Sequence, residues 1–121
     1  MHTAGDETKK FRKELNSGTT ALVLLGVLGQ ATEPMYGYQI ARLIESQSGD
    51  APVLKQGALY PVLRALEGSG LLESEVEPSV SGPPRRYYRI TPAGKGILRE
   101  WGKIWTQTKG LVDAVLQEGE Q

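Results

Sequence analysis

The chain has 121 residues, of which 39% are hydrophobic, and its 14 Lys and Arg residues balance its 14 Asp and Glu residues. This length suits one domain with a modest core, and zero net charge means that any affinity for phosphate must come from charges placed locally. Cysteine is absent and His2 is the only histidine, which excludes disulfides, thiol catalysis, Cys/His zinc sites and a Ser/His/Asp triad. We therefore expect no metal, no cofactor and no enzymatic activity.

The longest run of apolar residues and glycine, residues 21–29, is too short to span a bilayer. The first residues also lack the order of regions that a signal peptide has. We therefore expect a cytoplasmic protein without a membrane partner.

The N-terminal segment is polar and basic. Residues 1–8 predict a disordered start, and residues 9–15 predict a short basic helix in which Phe11 and Leu15 lie four residues apart. We expect this apolar pair to dock on another surface, such as a dimer interface. The basic cluster could contact phosphate or the dimer partner, or it could form a solvated face, and the sequence leaves these alternatives open.

Two helices are predicted to follow. The first is apolar nearly all round over residues 20–29, as expected of a central core helix, and one of three polar residues is expected to cap it: Asn16, Ser17 or Thr19. After a loop that contains Pro34, residues 36–45 predict a second helix that buries one face. A Gly/Ser/Asp/Pro-rich connection over residues 46–52 leads to the next element.

Residues 55–70 predict a short helix with a defined end. Its apolar residues recur at helical spacing and predict a buried face formed by Leu59, Leu63 and Leu66. The opposite face carries Lys55, Gln56, Tyr60 and Arg64. Gly70 can adopt a left-handed conformation after the helix, as a Schellman motif requires.

A β-hairpin is predicted next, because residues 72–77 and 85–90 favour strands and a proline-rich loop of residues 78–84 separates them. Arg85 and Arg86 at the base of this loop are candidate phosphate ligands. The alternative is that they pair across the sheet with acidic residues of the first strand, namely Glu73, Glu75 and Glu77.

A short helix with a polar outer face followed by a hairpin is typical of the recognition helix and wing of a winged helix-turn-helix. In that arrangement the N-terminal residues of the recognition helix contact base edges, and neighbouring groups contact the DNA backbone. The candidate DNA-binding residues are Tyr38, Arg42, Lys55, Gln56, Gly57, Ala58, Tyr60, Arg64, Arg85 and Arg86.

Four blocks of the sequence, in their order and spacing, resemble the PadR-like family of transcriptional regulators. They are Tyr36-Gly37-Tyr38-Gln39-Ile40, residues 57–67, Gly70-Leu71-Leu72, and residues 83–94 with Pro-Pro-Arg-Arg-Tyr-Tyr-Arg-Ile-Thr-Pro-Ala-Gly. The resemblance implies a winged-helix repressor that is homodimeric through its C-terminal helix and whose DNA affinity a small molecule modulates. The chain departs from the family's pattern before Gly57, where many relatives carry a Ser or Thr cap.

The C-terminal segment predicts a long helix in which Thr91 is the N-cap and Pro92 the first residue. Its apolar band is wider than one small domain can cover, which indicates a homodimer. The candidate interface residues, with the N-terminal pair included, are Phe11, Leu15, Ile97, Leu98, Trp101, Ile104, Trp105, Thr108, Leu111, Val112 and Val115. The alternative is that the helix folds back on its own domain.

Trp101 and Trp105 lie one helical turn apart on this band. A two-fold axis would gather four indoles, which leaves a flat apolar site able to stack a planar aromatic compound. The alternative is that the two indoles pack only as core.

We therefore predict a mainly α protein with a small β-hairpin, composed of a winged helix-turn-helix and a C-terminal dimerisation helix. The expected division is an N-terminal arm or short helix over residues 1–15, a DNA-binding domain over residues 16–91, and a dimerisation helix and tail over residues 92–121. The expected function is that of a homodimeric repressor on a palindromic double-stranded operator. The alternatives are a winged helix that binds a protein, which the zero net charge favours, and a small carboxylate enzyme, which no spacing of acidic residues favours.

Overall fold

The computed structural model describes residues 3–48 and 56–119. Over these two ranges the chain forms α1 (Ala4–Gln30), β1 (Met35–Tyr36), α2 (Gly37–Ser48), α3 (Gln56–Gly68), β2 (Leu72–Glu77), β3 (Arg85–Ile90) and α4 (Pro92–Gly119). The predicted mainly α fold with a small β-hairpin is confirmed, and the short strand β1 extends the hairpin to a three-stranded antiparallel sheet. In the described part of the chain, no helix combines the length and the apolar character that crossing a membrane requires.

The first helix is longer than the sequence predicts. Thr3 and Asp6 form a capping box that starts α1 at Ala4, so the predicted disordered start is wrong for residues 4–8. The predicted new helix start at residues 16–19 is also wrong, because the Thr19 hydroxyl donates to the Leu15 carbonyl within the helix (3.0 Å) instead of capping a new one. The proposed boundary between residues 15 and 16 thus falls inside α1, and the division into domains stays a prediction.

The core lies where the first three helices meet the sheet. Its buried side chains are Leu24, Leu25 and Leu28 of α1, Ile40 and Ile44 of α2, Leu59, Leu63 and Leu66 of α3, Leu72 of β2 and Tyr88 of β3. The predicted buried face of α3 is confirmed, since its three leucines are at most 5% exposed.

The sheet has the order β1-β3-β2 and is antiparallel throughout. The strand β1 is absent from the predicted fold, in which Tyr36 belongs to the second helix. Tyr36 instead pairs with Tyr87 in the sheet and precedes α2. Its backbone N–H donates to the Gln39 side chain (3.1 Å). α2 extends to Ser48, beyond the predicted end at residue 45. The remainder of the predicted 46–52 connection lies outside the described residues.

The helices α3 and α4 meet at a tight joint. α3 ends in the predicted Schellman motif, with Gly70 at φ 79° and the Leu71 N–H bonded to the Leu66 carbonyl (3.0 Å). Thr91, the predicted cap of α4, donates its hydroxyl to the Gly70 carbonyl (2.7 Å) and its N–H to the Leu71 carbonyl (3.1 Å). A Cβ on Gly94 would lie only 2.1 Å from the Leu71 carbonyl oxygen. The first turn of α4 therefore rests directly on the C-terminal turn of α3.

Candidate nucleic-acid interface

The outer face of α3 is open to solvent at its N-terminal end. Gly57, Ala58 and Arg64 are exposed, whereas Tyr60 is partly buried. Gln56 is the first residue of α3, and the predicted contact Lys55 lies outside the described residues. An exposed helix face held by buried leucines on its other side is the arrangement that a major-groove helix needs.

Tyr60 connects α3 to the start of α2. A Cβ on Gly37 would lie 2.6 Å from the Tyr60 ring, so the ring can cross the first turn of α2 only because residue 37 is glycine. This contact fixes the position of α3 relative to α2.

A strip of aromatic and cationic side chains runs from α2 to the base of the wing. The Arg42 guanidinium lies 5.9 Å from the Tyr38 ring centroid, and the Tyr38 ring stacks on Tyr36 with centroids 6.5 Å apart. The Arg85 guanidinium lies 4.6 Å from the centroid of Tyr36, and Tyr87 meets the same ring edge-on at 5.4 Å. Three predicted DNA contacts, Tyr38, Arg42 and Arg85, therefore belong to one surface.

The second wing arginine lies on the other face of the hairpin. Arg86 donates to the Ser74 hydroxyl (3.0 Å), and that hydroxyl donates to the Glu67 carboxylate of α3 (2.6 Å). Arg86 is thereby linked through Ser74 to the C-terminal end of α3.

Tyr88 lies between these charged groups and the core. Its burial raises the pKa of the phenol, and the charge of Glu67 raises it further, while Arg86 and Arg64 act in the opposite direction. The phenol is therefore neutral at physiological pH. Arg64 of α3 and Arg86 of the wing thus both act on the pKa of this one phenol.

The cross-strand alternative is realised by a different arginine. Arg89 forms an ion pair with Glu73 (2.6 Å), and this hydrogen bond and charge raise the pKa of the guanidinium. Within residues 3–48 and 56–119, neither Arg85 nor Arg86 forms an ion pair with an acidic residue of β2. The three acidic residues line the edge of the sheet opposite to β1.

The predicted interface residues of α4 fall into two groups. Ile97, Leu98 and Trp101 are partly buried against the core of the same chain, which partly fits the alternative that the helix folds back. The others are exposed and extend towards the end of the helix: Ile104, Trp105, Thr108, Leu111, Val112 and Val115. Phe11 and Leu15 of α1 are exposed as well. Both tryptophans line an open groove of about 430 Å³ between α1 and α4, together with Leu15 and Ile104.

Three residues that take part in these contacts are not among the predicted ones: Tyr36, Glu67 and Ser74. Tyr36 lies in the segment predicted as the second helix, and Ser74 lies in a predicted strand with no role expected for it. The strand alternation does place Ser74 on the side of Leu72, which was a signal that it faces α3.

An exposed helix flanked by a wing with two arginines and packed on a preceding helix defines a winged-helix DNA-binding protein. The model of the Transcriptional regulator PadR-like family matches residues 24–100. The chain belongs to this family. It is a DNA-binding transcriptional regulator, and regulators of this family are not enzymes.

Individual relatives agree with this assignment. The chain is 33% identical to an uncharacterised protein of Lysinibacillus sphaericus over 82 residues, which cover 68% of this chain and 75% of that protein. It is 54% identical to a transcriptional regulator of Mycobacterium tuberculosis over 44 residues, which cover 36% of this chain and 40% of that protein. The crystal structure of a PadR family transcriptional regulator from Eggerthella lenta has a TM-score of 0.71 at 36% identity and covers 93% of this chain and 94% of that chain.

Proposed function

We propose that the protein is a homodimeric repressor that acts in the cytoplasm on a palindromic operator and responds to a small aromatic ligand. The observation that carries the proposal is the solvent-exposed N-terminal end of α3, together with the surface that joins Arg42 of α2 to Arg85 of the wing. α3 would enter the major groove, with Gln56, Gly57, Ala58 and Tyr60 near base edges and Arg64 near the backbone.

The cationic groups would contact phosphates on both sides of the groove. Arg42 and Arg85 project from the strip between α2 and the wing, and Arg86 lies beside α3. Because the net charge is zero, this local clustering must supply the electrostatic part of the affinity.

Dimerisation is supported by apolar surface that the chain does not cover. Leu111 is 66% exposed, Ile104 58% and Phe11 63%, and these residues share the α1 and α4 side of the molecule with Leu15 and Trp105. Contiguous exposed apolar residues mark an interface in most proteins, and a two-fold axis would let the same surface cover its copy. A dimer would present two recognition helices to two half-sites about 34 Å apart, and an occupied operator blocks transcription.

Selection of bound sequences from random duplexes, followed by titration at several salt concentrations, tests the DNA-binding part of the proposal. We expect affinity for the selected duplex to fall steeply with salt, since phosphate contacts release counterions. Binding without salt dependence or sequence preference would favour a protein partner instead.

Gln56 offers a test of base readout, because it is the first residue of α3. We expect Gln56→Ala to weaken binding to the selected duplex by about 1–3 kcal/mol, the usual contribution of a base contact, with little change on random DNA. Titration of both duplexes at one salt concentration measures the two losses. Equal losses on the two duplexes would contradict a readout role.

The proposed ligand site is the groove between α1 and α4. Trp105 is 41% exposed and lines this groove with the partly buried Trp101, so an indole face is available for stacking a planar aromatic compound. Such a ligand changes operator affinity only if it favours one separation of the two recognition helices.

Tryptophan fluorescence can test this site directly. We expect planar aromatic compounds to quench the emission and to shift operator affinity, and Trp105→Ala to weaken their binding about tenfold because one stacking partner is lost. The dimer should persist in this variant, as shown by its mass in solution. If no compound quenches the parent protein and Trp105→Ala is monomeric, the indoles have only a structural role.

A further inference from the structure

The two wing arginines are adjacent in sequence but use their guanidinium groups differently. Arg86 donates one N–H to the Ser74 hydroxyl, whereas the Arg85 guanidinium lies over the Tyr36 ring. A guanidinium held over a ring by a cation–π contact gives none of its N–H groups to a hydrogen-bond acceptor, so these groups stay available to an anion.

The register of the sheet explains why Arg85 reaches Tyr36. Tyr36 of β1 is directly opposite Tyr87 of β3, and Arg85 is two residues before Tyr87 on the same face. Diagonal neighbours of this kind are close enough for a long side chain and an aromatic ring to touch. β1 therefore brings the ring that precedes α2 to the base of the wing.

The contact with the Tyr36 ring also determines the direction of the Arg85 side chain. Its directly opposite residue on β2 is Glu77, which belongs to the acidic edge of the sheet. An ion pair with Glu77 would use the N–H donors of Arg85 and would direct its guanidinium towards the three carboxylates of β2. The contact with Tyr36 turns it instead towards α2, where Tyr38 and Arg42 continue the same surface.

From this geometry we propose that Tyr36 is a positioning residue for DNA binding, which holds the Arg85 guanidinium over its ring and leaves N–H groups for a backbone phosphate. The proposal rests on the proposed function. Its advantage is that a side chain already held in place loses less conformational freedom when DNA binds. Tyr36 acts through its ring, and its hydroxyl is not required.

The test compares Tyr36→Leu, Tyr36→Phe, Arg85→Ala and the double variant Tyr36→Leu plus Arg85→Ala on one selected duplex over a range of salt. Arg85→Ala should lower the salt slope by about 0.9 for each bound copy, because one phosphate contact is lost. Tyr36→Leu should also lower the salt slope. It should weaken the affinity for the duplex about two- to fivefold, the range expected for an exposed cation–π contact. Tyr36→Phe keeps the ring and should restore both values, and the double variant should resemble Arg85→Ala.

Arg89→Ala is the matched control, because Arg89 lies on the same face of β3 but is bonded to Glu73. It should leave the salt slope of the parent protein unchanged. A second measurement needs no variant of Tyr36: the side-chain NMR signals of Arg85 in the free protein should lie upfield of those of Arg89, because only Arg85 is above a ring.

Additive losses in the double variant, equal losses in Tyr36→Phe and Tyr36→Leu, or an Arg85 signal without a ring-current shift would each overturn the positioning role. These outcomes leave the proposed function intact as long as the parent protein binds DNA in a salt-dependent way. If the parent protein does not bind any duplex, the proposed function itself fails, and with it the role of Tyr36.

Discussion

Gly94→Ala is expected to destabilise the protein by about 3 kcal/mol, at the upper end of what overpacking costs. The added methyl carbon would lie 2.1 Å from the Leu71 carbonyl oxygen and 2.8 Å from Ile90, and the carbonyl belongs to backbone that cannot move aside alone. To avoid this overlap, α4 must move away from the turn after α3, and that movement breaks the two hydrogen bonds from Thr91. Thermal unfolding at a fixed protein concentration should show a melting temperature lower by roughly 10 °C.

Gly96→Ala is the matched control in the same helix. A Cβ at residue 96 would have Arg99 as its nearest neighbour, at an ordinary 3.8 Å. Alanine is favoured over glycine in a helix by about 1 kcal/mol, so this variant should be as stable as the parent protein or more so. If Gly94→Ala behaved like Gly96→Ala, the direct contact between α4 and the turn after α3 would be wrong.

The second large effect is expected from Leu111→Glu. In the proposed dimer this side chain would be buried, and an unpaired carboxylate in an apolar interface costs several kcal/mol. Because the two-fold axis repeats the charge, we expect the dissociation constant of the dimer to rise at least about a hundredfold, which corresponds to about 3 kcal/mol. Sedimentation should then find monomers, and binding to a two-half-site operator should fall to the level of a single half-site.

Thr106→Glu adds the same charge to the same helix but lies five residues away, about 140° around the axis at 3.6 residues per turn. It should leave the dimer intact, because residue 106 is exposed and outside the apolar band. A dimeric Leu111→Glu variant would place the interface elsewhere on the protein.

Local patterns in the sequence were sufficient to predict α3, the hairpin and the start of α4. The spacing of Leu59, Leu63 and Leu66 fixes one buried face, and Gly70 and Thr91 determine where α3 ends and where α4 begins. These features depend on residues within one or two turns of each other, where periodicity and capping preferences act directly.

The unbroken first helix could not be predicted in the same way. Asn, Ser and Thr cap helices, but they also occur inside helices, where a Ser or Thr hydroxyl can bond back to the preceding turn, as that of Thr19 does. The packing of α1 against α4 favours the continuous helix, and that packing is a tertiary effect.

For the candidate site, the sequence predicts which cationic residues take part but not which partners hold each of them. Arg85 and Arg86 have the same side chain and are adjacent on one strand, so alternation places them on opposite faces, but no local pattern shows which partner each of them meets. They differ because β1 places Tyr36 on one face of β3 and α3 places Glu67 on the other. Both partners are distant in sequence, and only the fold brings them to the wing.

The joint between α3 and α4 makes the C-terminal helix a lever. α4 has 28 residues and is therefore about 42 Å long at 1.5 Å per residue. The first turn of α4 is fixed to the turn after α3, so a tilt of α4 by about 5° would displace one end of the helix by almost 4 Å relative to the other end. This displacement is close to the 3.4 Å rise of one base pair. In the proposed dimer, a substitution near the far end of α4 could thus change which operator spacing is preferred without touching any residue that faces DNA.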